Sequence, residues 1–89
     1  MARHVLTIRN IKGLHARASA RFVEVVEAHD AQATVSKDGT SASGDSIMGL
    51  LMLAAGKGSQ IEVETEGPEA ERLAAAIAAL VEGKFGEED

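Results

Sequence analysis

Cysteine, tryptophan and tyrosine are absent from this 89-residue chain, which holds a single proline and two phenylalanines. Without cysteine there is no disulfide framework, no thiolate metal site and no thiol nucleophile. Without tryptophan and tyrosine the usual platforms for stacking nucleic-acid bases are missing. A core must therefore be built from Leu, Ile, Val, Met and Ala, with Phe22 and Phe85 as its only rings. No apolar run reaches the ~18 residues of a membrane span, and no basic stretch leads into a short apolar one as in a secretory signal; a cytoplasmic location is the expectation.

What is present is an uneven charge. The formal net charge is −5, but the first 21 residues carry Arg3, Arg9, Lys12, Arg17 and Arg21 with no acid among them, while acids dominate the second half. A positive local field is expected around residues 9–21, suited to an anionic ligand. The acidic remainder argues against nucleic acid as that ligand.

The length fits one domain over residues 1–89. Residues 3–9 alternate, with Leu6 and Ile8 on one face, and read as a half-buried strand. Phe22, Val23 and Val26 recur at helical spacing and predict a helix over 16–28. Two short strands flank Asp38-Gly39, a pair that favours a tight hairpin turn. Ser46 opens a short apolar helix over 47–55, closed by Gly56 and Gly58. Residues 60–66 alternate strictly as a strand with Ile61, Val63 and Thr65 inward. Gly67-Pro68 then starts a helix whose buried stripe is Leu73, Ala74, Ile77, Leu80 and Val81. The segment 83–89 reads as frayed.

The order βαββαβα, with a central hairpin and alternating rather than continuous apolar strands, predicts an α+β fold. Its form is an open-faced sandwich, a four-stranded antiparallel sheet with three helices on one face.

One constellation carries chemistry. Gly13-Leu14-His15-Ala16-Arg17 places a histidine at a helix start. There the backbone N–H groups of Ala16 and Arg17 can cradle phosphate oxygens, and the Arg17 guanidinium can add charge-assisted hydrogen bonds. Histidine can also take the phosphoryl group covalently through a neutral ring nitrogen. A plainer alternative makes His15 a loop residue or a poor helix cap. Ser46 is an ordinary N-cap. Ile47, Met48 and Leu51 lie on a helix too apolar to bury every side chain, so part of it is expected to form an exposed patch, with Leu50 and Leu53 inside.

Other motifs fail. The histidines at 4, 15 and 29 are too scattered for a metal site, and His29 is better read as a partner of a helix C-terminus. No metal or cofactor is expected. Gly44-Asp45-Ser46 could open a serine hydrolase segment, but no histidine follows residue 29. Gly56-Lys57-Gly58 does not fit a phosphate loop.

Gly13-Leu14-His15-Ala16-Arg17-Ala18-Ser19 resembles the active-site motif of the histidine-containing phosphocarriers (HPr) of the phosphoenolpyruvate-dependent phosphotransferase system. Ser46-Ile47-Met48-Gly49 resembles that family's regulatory serine segment, and Gly56-Lys57-Gly58 with Ile61-Glu62-Val63 resembles its turn into the last strand. The resemblance implies that His15 is phosphorylated on Nδ1 by an enzyme I-type phosphotransferase and passes the group to an EIIA-type acceptor. It further implies that Ser46 is a target of a serine kinase, and that Ala20, Arg21, Ile47, Met48 and Leu51 form the docking face of a monomer. Ala18 departs from the family pattern, which has proline there; the first helical turn gains a free N–H. Leu50-Leu51-Met52-Leu53, Gln60-Ile61-Glu62-Val63-Glu64, Gly67-Pro68 and Phe85-Gly86-Glu87-Glu88-Asp89 look more like the nitrogen-related, regulatory branch of the family. A protein-binding module that docks according to its phosphorylation state is the alternative function.

Overall fold

The computed structural model describes residues 1–87. Strand β1 (Ala2–Thr7) leads through a loop to helix α1 (Ala16–Glu27), then to the hairpin β2 (Gln32–Lys37) and β3 (Thr40–Ser43). Helix α2 (Ile47–Met52), strand β4 (Gln60–Glu66) and helix α3 (Ala70–Glu82) follow, and a single 3₁₀ turn spans Lys84–Gly86. The sheet order is β1-β4-β2-β3 with every pair antiparallel. This is the four-stranded open sheet with three helices that the patterning predicts.

Strand alternation decides which face is covered. Leu6, Ala33, Val35, Ile61, Val63 and Thr65 point inward and are buried, while Arg3, Val5 and Thr34 lie exposed on the other face. Register places Val35 opposite Val63 and Leu6 opposite Ile61, so the apolar rows meet across the strands. Thr65 is the polar member of the buried face, and its hydroxyl donates to the Ala70 carbonyl at 2.7 Å. That bond ties the end of β4 to the first turn of α3.

Helix α1 lays Ala18, Ser19, Phe22, Val23 and Val26 on the core and turns Arg17, Arg21, Glu24 and Glu27 to solvent. In the hairpin, Asp38 and Gly39 both take positive φ, 50° and 83°, as a two-residue turn matched to strand twist requires. The His29 ring, just past the end of α1, is 2.7 Å from the Val25 carbonyl through Nδ1 and satisfies one of the helix's last acceptors.

Four expectations are corrected. Helix α2 ends at Met52 rather than near residue 55, because Ala54 turns left-handed (φ 52°) and so lets both Leu53 and Ala55 reach the core. Pro68 precedes α3 instead of sitting in its first turn. The capping position is Glu69, whose carboxylate reaches back to accept the Asp30 N–H at 2.8 Å; Leu80 is only half-buried. The last correction matters most. The segment after α3 is not frayed through residue 87: Lys84, Phe85 and Gly86 take positive φ in succession, and the turn they make drives the Phe85 ring into full burial. Burying a phenylalanine stabilises by about 1.5–3 kcal/mol, which offsets much of the cost of about 1–3 kcal/mol for each left-handed non-glycine residue in the turn. Glu88 and Asp89 lie outside the described residues.

Candidate functional site

The site is assembled from three stretches distant in sequence: the loop after β1, the first turn of α1, and the segment after α3. Gly13 begins it. Its φ of 66° is left-handed, and a Cβ there would lie 2.4 Å from the Ala55 carbonyl oxygen. The position thus needs glycine for both conformation and space. The following amide, Leu14, donates to that same carbonyl at 2.9 Å, and Leu14 itself is buried. The loop is therefore docked on the chain just after α2.

His15 is the N-cap of α1, with extended backbone (φ −78°, ψ −176°). Its carbonyl accepts the Ser19 N–H at 2.8 Å, and its Nδ1 accepts the Arg17 N–H at 3.2 Å. A nitrogen that accepts carries a lone pair. The other ring nitrogen, Nε2, faces the Glu87 carboxylate oxygen Oε2, an acceptor only. These partners assign the neutral tautomer: the proton is on Nε2 and the lone pair on Nδ1. His15 and Glu87 side chains are 27% and 22% exposed, so the pair is sheltered while Nδ1 lies at the surface end of the helix.

Glu87 is itself held. Its Oε1 accepts from Nδ2 of Asn10 at 3.0 Å, and the same Nδ2 donates to the Gly13 carbonyl at 2.7 Å. Asn10 is fully buried, and its Oδ1 has no hydrogen-bond partner among the described residues. One amide thus links the glycine turn to the carboxylate behind the histidine.

A cleft of about 610 Å³ opens in front of the ring, lined by His15, Glu87, Lys12, Arg17, Arg21 and Ile11. Three cations and the N-terminal turn of α1 border this cleft beside the Glu87 carboxylate, and together they suit an anionic ligand. Gly86 leaves room for Arg21: a Cβ there, at φ 78°, would come within 3.2 Å of Nη1.

The second group of expected residues lies on α2. Ser46 caps that helix, its Oγ accepting the Gly49 N–H at 3.0 Å. Ile47, Met48 and Leu51 are exposed, Met48 by 70%, whereas Leu50 and Leu53 are buried. Met52, 76% exposed, extends the patch and is absent from the sequence expectation. Helix α1 packs beside α2, with Ala20 half-buried and Arg21 exposed on α1. Asn10 and Glu87 are the site residues that sequence reasoning missed. The available signal was Phe85, a ring in an aromatic-poor chain, which marks the final segment as anchored.

Residues 2–83 match the family described as "PTS HPr component phosphorylation site". This chain belongs to the HPr/NPr phosphocarrier family of the phosphotransferase system. It is 43% identical over 81 residues to phosphocarrier protein HPr of Cupriavidus necator, covering 91% of each chain. To phosphocarrier protein NPr of Escherichia coli K12 it is 39% identical over 87 residues, 97% of each. The crystal structure of HPr-C-His from Thermoanaerobacter tengcongensis superposes with a TM-score of 0.95 at 36% identity, over 100% of both chains. Among the described residues no helix is long and apolar enough to cross a membrane.

Proposed function

We propose that this protein accepts a phosphoryl group on Nδ1 of His15 from an enzyme I-type phosphotransferase and passes it to an EIIA-type acceptor in the cytoplasm, acting as a monomeric single-domain carrier. The observation that carries this reading is His15 at the α1 N-terminus, with an accepting Nδ1 and with Lys12, Arg17 and Arg21 lining the same cleft. The Arg17 N–H leaves the Nδ1 lone pair for a phosphoryl oxygen; attack by the freed lone pair forms the Nδ1–P bond while the donor's bond to phosphorus breaks, its electron pair leaving with the donor. The Ala16 and Arg17 N–H groups and the Arg17 guanidinium stabilise the charge on the transferring oxygens. Donation to the next protein is the same exchange run forward.

Docking is assigned to Ile47, Met48 and Leu51 with Ala20 and Arg21, a small apolar patch rimmed by charge. Phosphorylation of Ser46 by a serine kinase would add about −1.5 to −2 charge at its edge and weaken an acidic partner's approach. The tail and α2 residues that resemble the nitrogen-related branch favour a regulatory system over sugar uptake. In the second reading the chain works by docking on target proteins according to its phosphorylation state, and the exposure of Met48 and Met52 favours it.

The test is intact mass after mixing with phosphoenolpyruvate and an enzyme I-type transferase. Gain of one acid-labile phosphate by the native protein and none by His15→Ala is expected. Phosphate retained by His15→Ala removes the assignment.

A further inference from the structure

The Asn10–Glu87–His15 chain of hydrogen bonds ends at Nε2, the ring nitrogen opposite the reacting one, with Glu87 on the wall of the same cleft. We propose that Glu87 is a positioning residue for the phosphoryl transfer: it keeps the ring proton on Nε2, so that Nδ1 is the only nucleophilic nitrogen and the ring later departs as neutral imidazole. The inference rests on the carrier reading above and names a group which that reading does not need.

A free imidazole has two tautomers and two nitrogens able to attack phosphorus. Here Glu87 Oε2 takes the Nε2–H, and its other oxygen is fixed by Asn10 Nδ2 at 3.0 Å. The carboxylate thus blocks Nε2 and orients the ring, as a carboxylate does behind a histidine in many sites. When Nδ1 bonds to phosphorus the ring carries a positive charge with its proton still on Nε2, and the facing carboxylate balances it. On donation the Nδ1–P pair of electrons returns to Nδ1, the phosphoryl group goes to the acceptor, and no proton need move. Were Nε2 to lose its proton first, the leaving group would be an imidazolate, a far poorer one.

The segment is built to deliver this carboxylate. Phe85 is fully buried, Gly86 sits against Arg21, and three successive positive φ values turn the chain back toward α1. A strained turn of this kind persists where the surroundings over-determine it, and such turns gather at functional sites.

Phosphoramidate, a chemical donor that phosphorylates imidazole without any protein partner, separates this proposal from docking. The native protein is expected to give phosphohistidine on Nδ1, read by ³¹P and ring ¹⁵N spectra, with the unreacted ring showing a proton on Nε2. Glu87→Ala is expected to show mixed tautomers, to form some Nε2 product, and to donate phosphate to an acceptor about tenfold more slowly, the scale of one charge-assisted hydrogen bond. Backbone amide spectra away from the site check that Phe85 still anchors the segment. Unchanged tautomer and unchanged product in Glu87→Ala overturn the proposal. Failure of the native protein to take phosphate from the protein donor would instead sink the carrier reading, while the ring spectra still decide the role of Glu87.

Discussion

The Leu14 N–H and the Ala55 carbonyl oxygen are 2.9 Å apart, so the loop that presents His15 is fastened to the residue that closes the α2 region. Reactive nitrogen and apolar patch are thereby held in one rigid frame. A partner that docks on α2 finds His15 at a fixed offset, and positional precision of this kind is what a transfer between two protein sites demands.

Gly13→Ala should break that frame. The new Cβ would sit 2.4 Å from the Ala55 oxygen at a backbone φ of 66°, so the loop must move. A loss of more than about 1 kcal/mol in urea unfolding is expected, together with slower phosphoryl acceptance. An unchanged unfolding midpoint would mean that the loop relaxes freely.

Arg17→Ala should leave the fold intact, since the side chain is exposed and only its backbone N–H bonds His15. Transfer should slow by about tenfold through loss of charge-assisted contacts to the phosphoryl oxygens. Stopped-flow measurement of both half-reactions checks this, and unaltered rates in both would reduce Arg17 to a surface charge.

Ser46→Ala should cost about 0.5–2 kcal/mol by removing the cap on Gly49, whereas Ser46→Asp keeps a capping oxygen and the helix. The aspartate variant should instead slow association with the upstream transferase, most at low salt. Met48→Glu, at a side chain 70% exposed, should fold normally and weaken docking in the same assay. Identical association for the aspartate and alanine variants at every salt concentration would leave Ser46 as a cap alone.

The Glu69 carboxyl sits below the usual carboxylate range because it accepts the Asp30 backbone N–H, an effect that burial partly opposes, with Arg72 and then His29 adding smaller lowering contributions. The folded form therefore binds a proton less readily than the unfolded one. Its contribution to stability is complete above the unfolded carboxyl's range and disappears as pH falls through the lower, folded value. Glu69→Gln should thus be less stable than the native protein at neutral pH, and the gap should close in acid. Urea midpoints across that interval decide it; a gap constant with pH would remove the charge from the explanation.

Much of this was legible in the chain. Alternation at 3–9 and 60–66 gave the strand faces, Asp38-Gly39 gave the hairpin, and Phe22, Val23 and Val26 gave the buried face of α1, because each signal is local and periodic. His15 and Arg17 were legible because a helix start is written in adjacent residues. Glu87 was not, since it reaches His15 across 72 positions and only the turn built around Phe85 brings it there. The early end of α2 was hidden as well: Ala54 turns left-handed without any glycine to announce it, and the requirement that forces it, burial of Ala55 beneath the Gly13 loop, is tertiary.

On the carrier reading, the phosphoryl group rides on one particular atom, Nδ1 of His15. Phosphorylation by phosphoenolpyruvate and the enzyme I-type transferase, followed by two-bond ¹H–¹⁵N correlation of the histidine rings, reads that atom directly. Phosphorus on Nδ1 of His15 with the proton retained on Nε2 is the result expected from the Arg17 and Glu87 contacts. Phosphorus on Nε2 of His15, on His4 or His29, or on no histidine would contradict it.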